Sequence, residues 1–174
     1  TMSWTGRSRL DSHAAAFTLQ LANPLASDQS HLRPSLIPCL LDSLRLNRSR
    51  GNNPLRLFET GNVWRERAGR LWELFSVAFL MVQDTASTSG QWIERQPPDF
   101  FQVAGMVRNL LKLAGAEADA IAFEPIQTED SWQEGHAASI FDYALGFQAK
   151  AGILNYTMLK KWDIEGTVLA GAVY

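Results

Sequence analysis

The sequence has few of the residues from which stabilising cross-links and metal sites are built. Among 174 residues there is one cysteine, Cys39, so a disulfide within the chain is excluded. The three histidines, His13, His31 and His136, are far apart and have no cysteine close by. Because structural zinc sites need closely spaced histidine and cysteine pairs, we expect no metal site and interpret the histidines as surface residues.

Several sequence motifs are also missing. The chain has no GxSxG nucleophile turn, no GxxxxGK[ST] loop and no GxGxxG turn. A run of about 18 apolar residues is absent, so we expect no membrane contact. The first 13 residues, TMSWTGRSRLDSH, lack the apolar core of a signal peptide. We therefore predict a cytoplasmic location, with which the single cysteine is compatible.

Composition favours one globular domain. Hydrophobic residues make up 46% of the chain and charged residues 20%, and the formal net charge is −2. A general attraction to nucleic acid is not indicated, so any such contact has to be local. We predict a flexible or truncated segment at residues 1–16 and one domain at residues 17–174.

Hydrophobic periodicity predicts an α+β fold. Alternation predicts strands at residues 15–21, 121–126, 137–143, 146–156 and 166–174, a strand and turn at 55–64, and a doubly buried strand at 74–82. Helical spacing predicts a helix capped by Ser35, one capped by Asp99 and stopped by Gly115, and a short one capped by Thr157. Residues 83–98 are interpreted as a loop. Short turns between strands favour an antiparallel or mixed sheet flanked by helices.

The first predicted helix has an unusual entry. Pro24, Pro34 and Pro38 stiffen the chain ahead of a stripe of aliphatic side chains, and a restricted backbone loses less entropy on ordering. The stripe comprises Leu36, Ile37, Leu40, Leu41 and Leu44. Cys39 lies beside it, and we interpret Cys39 as a buried structural thiol rather than a nucleophile.

Basic residues are concentrated in one part of the chain. Half of the 16 are arginines between residues 33 and 70. One interpretation is a solvated helix end with ion pairs to Glu59, Glu66 and Glu73. The other is a contact surface for RNA phosphate or an acidic partner, formed by Arg45, Arg48 and Arg50.

Four segments, in order, resemble one known family. They are residues 21–51 with 55–64 (LANPLASDQSHLRPSLIPCLLDSLRLNRSRG and LRLFETGNVW), 99–115 (DFFQVAGMVRNLLKLAG), 136–154 (HAASIFDYALGFQAKAGIL) and 162–174 (WDIEGTVLAGAVY). Together they are similar to the beta chain of bacterial phenylalanyl-tRNA synthetase, across residues 17–174. His136-Ala137, Gln102 and Ala104 depart from the family's pattern.

The resemblance implies a catalytic-like domain built on the class II synthetase core. Such a domain packs on the alpha chain, which holds the active site, in an assembly of two alpha and two beta chains. It has no catalytic residue and no cofactor of its own, whereas the holoenzyme uses ATP and Mg²⁺ and binds tRNA. The implied partner interface includes Arg33, Pro34, Leu36, Leu40 and Leu44. The leucine stripe then packs partly on its own sheet and partly on the partner, or it lies wholly in the core.

The residues at the expected nucleotide site support the absence of catalysis. A class II site holds ATP with a strand arginine, followed two residues later by a glutamate, and with a second arginine after a glycine-rich stretch. Arg65 stands at the first position as a vestigial ATP-site residue, but Arg67 replaces the glutamate. No arginine follows Gly166 and Gly171.

Two other functions are compatible with the sequence. One is a self-sufficient class II enzyme that binds ATP and an amino acid itself. The other is a stand-alone RNA-binding module.

Overall fold

The structure is a computed structural model that describes residues 20–23, 30–52, 56–83, 98–127 and 129–174. The predicted segment 1–16, nearly all of the predicted strand at 15–21, Pro24, and most of the predicted loop at 83–98 lie outside these residues. Within them, Gln20 forms an isolated antiparallel bridge with His31.

The described chain forms six strands, three α-helices and a short 3₁₀ turn. In chain order they are α1 (Ile37–Ser49), β1 (Arg56–Arg67), β2 (Arg70–Gln83), α2 (Phe100–Leu113), the 3₁₀ turn (Ala118–Ala120), β3 (Ile121–Pro125), β4 (Trp132–Asp142), β5 (Phe147–Leu154), α3 (Tyr156–Lys161) and β6 (Thr167–Val173). The α+β prediction is confirmed.

All six strands form one sheet in the order β1-β2-β6-β5-β4-β3. Every pairing between described strands is antiparallel, so the mixed alternative is not found in this part of the chain. β1 and β2 form a long hairpin whose turn, Ala68-Gly69, has positive φ at both residues. Such a two-residue turn matches the twist of the flanking strands.

The turn predicted within residues 55–64 is wrong. Residues 60–62 are extended and pair with residues 75–77 of β2, and β1 continues to Arg67. Gly61 has another role, because a Cβ at this position would overlap the guanidinium of Arg33. The glycine therefore makes room for a side chain that crosses the strand.

Side chains alternate between the two faces of the sheet and build two cores. On one face, α1 and α3 pack on residues such as Val63, Leu80 and Ala170. On the other face, α2 packs on residues such as Phe79, Leu169 and Ala151. The sheet is therefore a middle layer, and its central strands are covered on both sides.

Helix α2 begins and ends as its sequence predicts. The Asp99 side chain accepts a hydrogen bond from the Gln102 N–H at 2.8 Å, which satisfies one of the free donors of the first turn. Gly115 follows the helix with φ +104°. The predicted stripe faces the sheet, with Val103, Ala104, Val107 and Leu111 buried and Phe100 and Leu110 partly buried.

The starts of the other helices differ in detail from the prediction. The residue before α1 is Leu36, although the Ser35 hydroxyl still accepts the Ile37 N–H at 3.2 Å. Pro38 lies in the first turn, where its missing N–H costs little. Helix α3 is capped by Asn155 and not by Thr157, because the Asn155 side chain accepts the Thr157 N–H at 2.8 Å.

Arg33 joins the segment before α1 to β1. Its Nη1 lies 2.5 Å from Oε1 of Glu59, and its Nε donates to the Asn62 carbonyl at 3.0 Å. The Arg33 carbonyl in turn accepts the Trp64 N–H at 2.9 Å. We call these contacts the Arg33 clamp. They fix the entry of α1 against the edge of the sheet.

Gly171 in the middle of β6 lets α2 approach the sheet. A Cβ at this position would overlap the ring of Phe79 and lie 2.8 Å from Cγ2 of Val107. Neither neighbour has room to move in a close-packed core. The glycine is therefore required for packing.

We expect Gly171→Ala to lower the free energy of unfolding by about 1–3 kcal/mol, because the added methyl overpacks the contact with Phe79 and Val107. Gly105 in α2 is the control, since a Cβ there meets nothing within 4 Å. Gly105→Ala is expected to raise the stability by up to about 1 kcal/mol. Urea denaturation measures both, and equal effects of the two changes would contradict the packing role of Gly171.

We expect Arg33→Met to cost about 2 kcal/mol, because it leaves the Glu59 carboxylate partly buried without its cation. The two side chains are only 7% and 25% exposed. The control ion pair is Lys150–Glu129, whose side chains are 28% and 29% exposed, so Lys150→Met is expected to cost about 0.5 kcal/mol. Adding Glu59→Gln to Arg33→Met is expected to restore part of the loss, and no recovery in denaturation experiments would argue against the clamp.

Candidate functional site

Arg65, the predicted vestigial ATP-site residue, is engaged within the chain. It lies on β1 opposite Trp72, and its Cζ is 3.8 Å from the centroid of the Tyr174 ring. A guanidinium over an aromatic face gains cation–π attraction. One face of the Arg65 guanidinium is therefore occupied by the residue that follows β6.

The glycines expected near the second nucleotide-binding arginine also serve the fold. Gly171 lies in the core against Phe79 and Val107, and Gly166 has φ +86° just before β6. Gly171 is thus surrounded by side chains on the α2 face. A ligand on the α2 face cannot approach the backbone at that point without displacing the core.

Metal ligands were not expected from the sequence. Across the described residues, no group of three or more histidine, cysteine, aspartate or glutamate side chains is arranged to hold a metal ion. His31 instead hydrogen-bonds the Ser30 hydroxyl at 2.9 Å, and His136 donates from Nδ1 to the Glu134 carbonyl at 3.1 Å.

Cys39 is partly buried next to the Arg33 clamp. An Arg33 N–H lies 3.9 Å from its Sγ. Burial raises the pKa of the Cys39 thiol, and the negative charge of Glu59 raises it further. A thiol that stays protonated is a poor nucleophile, which agrees with a structural role.

The five predicted partner-interface residues are all buried in this chain. They are Arg33, Pro34, Leu36, Leu40 and Leu44. The three leucines pack on the α1 face of the sheet, and Arg33 belongs to its clamp. The structure therefore favours the alternative in which the leucine stripe lies wholly in the core, because no part of it is exposed to meet a partner.

The three predicted RNA-contact arginines lie at the end of α1 but differ in their surroundings. Arg45 and Arg50 are exposed. Arg48 is half-buried and donates to the Glu165 carbonyl at 2.6 Å. Two exposed arginines and one that is bonded within the chain therefore lie at this helix end.

The predicted ion pairs of the acidic residues are found in part. Glu59 pairs with Arg33. Glu73 instead accepts a hydrogen bond from the Asn62 side-chain amide at 2.7 Å across the β1–β2 hairpin. Cross-strand polar pairs of this kind support the register of an exposed hairpin.

The exposed apolar surface of the β1–β2 hairpin was missed by the sequence reasoning. β6 pairs with β2 only from Val77 to Gln83, so the outer half of the hairpin is a two-stranded ribbon. Phe58, Leu71 and Phe75 share the α2 face of the hairpin, and we call them the ribbon stripe. Leu71 and Phe75 lie in this outer half, and Phe58 lies opposite Phe79. Phe58 is 77% exposed and Phe75 66%. Large exposed apolar side chains on a ribbon are typical of a protein contact.

Comparison with known proteins identifies the family. The family model described as the phenylalanyl tRNA synthetase beta chain CLM domain matches residues 1–172. The phenylalanine–tRNA ligase beta subunit of Novosphingobium aromaticivorans is 30% identical over 149 residues, which are 85% of this chain and 19% of that protein. The same subunit from Dehalococcoides mccartyi is 33% identical over 129 residues, 71% of this chain and 16% of that one.

Solved structures show the same fold. A pyrrolysyl tRNA synthetase from Desulfitobacterium hafniense superposes with a TM-score of 0.65 at 16% identity, over 95% of this chain and 52% of that chain. A second structure of the enzyme from this organism gives a TM-score of 0.60 at 20% identity, over 91% of this chain and 50% of that one. The fold is therefore that of a tRNA synthetase.

The sequence matches show the family of this chain and how much of a beta subunit the chain covers. The chain spans about a fifth of the length of the beta subunits that it matches. The family model covers nearly all of the chain. The chain belongs to the phenylalanyl tRNA synthetase beta chain CLM domain family.

Proposed function

We propose that this domain is a non-catalytic assembly domain of a phenylalanine–tRNA ligase. It packs on the alpha chain and supports aminoacylation of tRNA(Phe) without carrying the active site. ATP and Mg²⁺ are used by the holoenzyme, which is cytoplasmic, and not by this domain. None of the helices in the described part of the chain has the length and hydrophobicity to span a membrane.

The stacking of Arg65 on Tyr174 is the observation that carries this proposal. A phosphate-binding arginine has to present its donors to the ligand in a preorganised geometry. Here the guanidinium stacks on an aromatic ring of the same chain, 3.8 Å from its centroid, so Arg65 contributes to the folded domain, although the stack does not use its in-plane N–H donors.

The contact with the alpha chain is proposed to use the ribbon stripe. Phe58, Leu71 and Phe75 are exposed on one face of a hairpin that extends beyond β6. Covering these side chains removes apolar area from water, at about 25 cal/mol per Å². The buried leucines of α1 cannot contribute in this way. Their role is to hold α1 on the sheet.

A contact with tRNA through the end of α1 is a further part of the proposal. Arg45 and Arg50 are exposed, so their charges are available to a phosphate backbone. Arg48 already donates to the Glu165 carbonyl and is expected to contribute less. Such a contact adds affinity for tRNA within the assembly.

We expect Phe58→Asp combined with Phe75→Asp to abolish co-purification of the alpha chain with the full beta chain, because two charges would be placed in an apolar contact. Leu113→Asp is the control, since Leu113 is 85% exposed at the end of α2, away from the ribbon. Both variants are expected to keep the wild-type melting temperature. Loss of the alpha chain in the Leu113 variant alone would move the interface to α2.

We expect charged substitutions in the leucine stripe to unfold the domain, unlike those in the ribbon stripe. Leu40 and Leu44 are buried, so Leu40→Asp with Leu44→Asp is expected to unfold the domain rather than to release a folded one. Circular dichroism distinguishes the two results. A folded variant that no longer binds the alpha chain would return these leucines to the interface.

Calorimetry tests the absence of an ATP site. With Mg²⁺ and phenylalanine present, we expect no binding of ATP to this chain in the micromolar range, because Arg67 stands where the glutamate of a class II ATP site is expected. The control is Arg65→Gln, which is expected to give the same trace. Micromolar binding that disappears in Arg65→Gln would instead favour a self-sufficient enzyme.

A further inference from the structure

A cavity of about 560 Å³ lies at the end of the sheet farthest from the β1–β2 hairpin. It is open to solvent and is bordered by residues 100–108 of α2 on one side and by β3 and β4 on the other. Its lining residues are Phe100, Phe101, Ala104, Gly105, Arg108, Phe123, Pro125, Gly135, His136, Ala137 and Ala138. A volume of this size is in the range of small-molecule sites.

An irregularity of β4 shapes one wall of the cavity. Trp132 pairs with Leu154 and Ala137 with Gly152, so five steps along β4 oppose two along β5. The extra residues form a bulge that brings Gly135 and His136 to the cavity. Gly152 permits this, because a Cβ there would overlap the backbone at His136 and Ala137. Bulges that redirect side chains are common beside binding sites.

The long walls of the cavity are aromatic. Phe100 and Phe101 pack edge to face with ring centroids 5.6 Å apart, and Phe123 lies across from them on β3. Phe101 is 80% exposed although it borders a concave surface. Stacking of a planar apolar group on exposed rings at the mouth of a cavity is energetically favourable.

Arg108 is the charged lining residue, and it lies at one end. It follows Phe101 by two helical turns, which corresponds to about 10 Å along the axis. One of its N–H groups donates to the Ala118 carbonyl at 3.3 Å. A guanidinium has five N–H donors in a planar fork, so others remain to bind a carboxylate.

We propose that this cavity binds a small molecule in which an aromatic ring is joined through a short aliphatic spacer to one carboxylate. The ring stacks at the Phe101 end, and the carboxylate pairs with Arg108. The proposal rests on the cavity alone and is independent of the role assigned to Arg65.

The charges around the cavity select this class over two others. Glu117 and Asp119 flank the Ala118 carbonyl to which Arg108 donates, and both are exposed. These carboxylates oppose further negative charge, and Arg108 is one cation among the described lining residues, so it can balance one carboxylate but not a polyanion such as RNA. Among the described lining residues there is no aspartate or glutamate, so the ammonium group of an amino acid would enter the cavity without a partner.

The experiment uses three ligands with one carbon skeleton, titrated into the purified chain and followed by isothermal titration calorimetry and amide NMR shifts. We expect 4-phenylbutyrate to bind with a Kd of about 1 mM or tighter. The uncharged 4-phenylbutyramide and the zwitterion 2-amino-4-phenylbutyrate are each expected to bind at least about tenfold more weakly. Equal binding of the amide would overturn the role of Arg108, and tighter binding of the zwitterion would overturn the ligand class.

Variants with matched controls locate the site. Arg108→Gln is expected to weaken 4-phenylbutyrate binding about tenfold, and Arg108→Lys by less, because a cation remains. Phe101→Ala is expected to weaken it about fivefold. The controls Lys112→Gln and Phe75→Ala remove an exposed cation of the same helix and an exposed ring of the ribbon, and both are expected to leave the Kd unchanged.

Two outcomes would rule out a small-molecule site in this cavity, and a third would rule out the pairing with Arg108. The first is no binding of 4-phenylbutyrate at 10 times the expected Kd, about 10 mM. The second is competition by a single-stranded hexauridylate that abolishes binding of the acid, which would assign the surface to RNA. A loss of binding in Lys112→Gln equal to that in Arg108→Gln would likewise contradict a specific pairing with Arg108.

Discussion

The α1 side of the domain depends on one partly buried ion pair. Arg33 is a charge that cannot lie in the interior without a partner, and Glu59 on β1 supplies it. The guanidinium reaches Glu59 only because Gly61 has no side chain. A shift of β1 by one residue would turn both Glu59 and Gly61 to the other face of the sheet. The position of the helix and the register of the edge strand are therefore specified by the same contact.

Small residues in the central strands determine which surfaces of the domain remain available to a ligand or a partner. Gly171 with its neighbours Ala170 and Ala172 in β6, and Ala149 and Ala151 in β5, let helices approach both faces closely. The centre of the sheet is therefore filled by side chains of the chain itself. The surfaces that remain are the two ends of the strand order, with the ribbon stripe at one end and the aromatic cavity at the other.

Hydrophobic periodicity and capping residues predicted the helices and strands well, because both signals come from residues that are close together in the sequence. The helix that starts at Asp99 and the stripe from Leu36 to Leu44 are found as expected. Burial depends instead on what packs on each face, which the local pattern does not contain. Phe75 and Phe79 are both phenylalanines and lie on the same face of β2, but only Phe79 is covered by β6 and α2. For the same reason the sequence left two alternatives for the leucines, since a stripe has the same sequence pattern whether its own sheet or a partner covers it.

The stacking of Arg65 fits the proposed assembly role, because it uses an arginine expected at a nucleotide site to stabilise the fold. A preorganised phosphate site holds several cations without partners and away from water. This arrangement lowers the stability of the unliganded fold, and ligand binding offsets the loss. When Arg65 stacks on Tyr174 and Gly171 is packed by Phe79 and Val107, the same positions contribute to the folded state instead. The sheet then becomes a more rigid support for the ribbon, whose outer half has no third strand among the described residues to stabilise it.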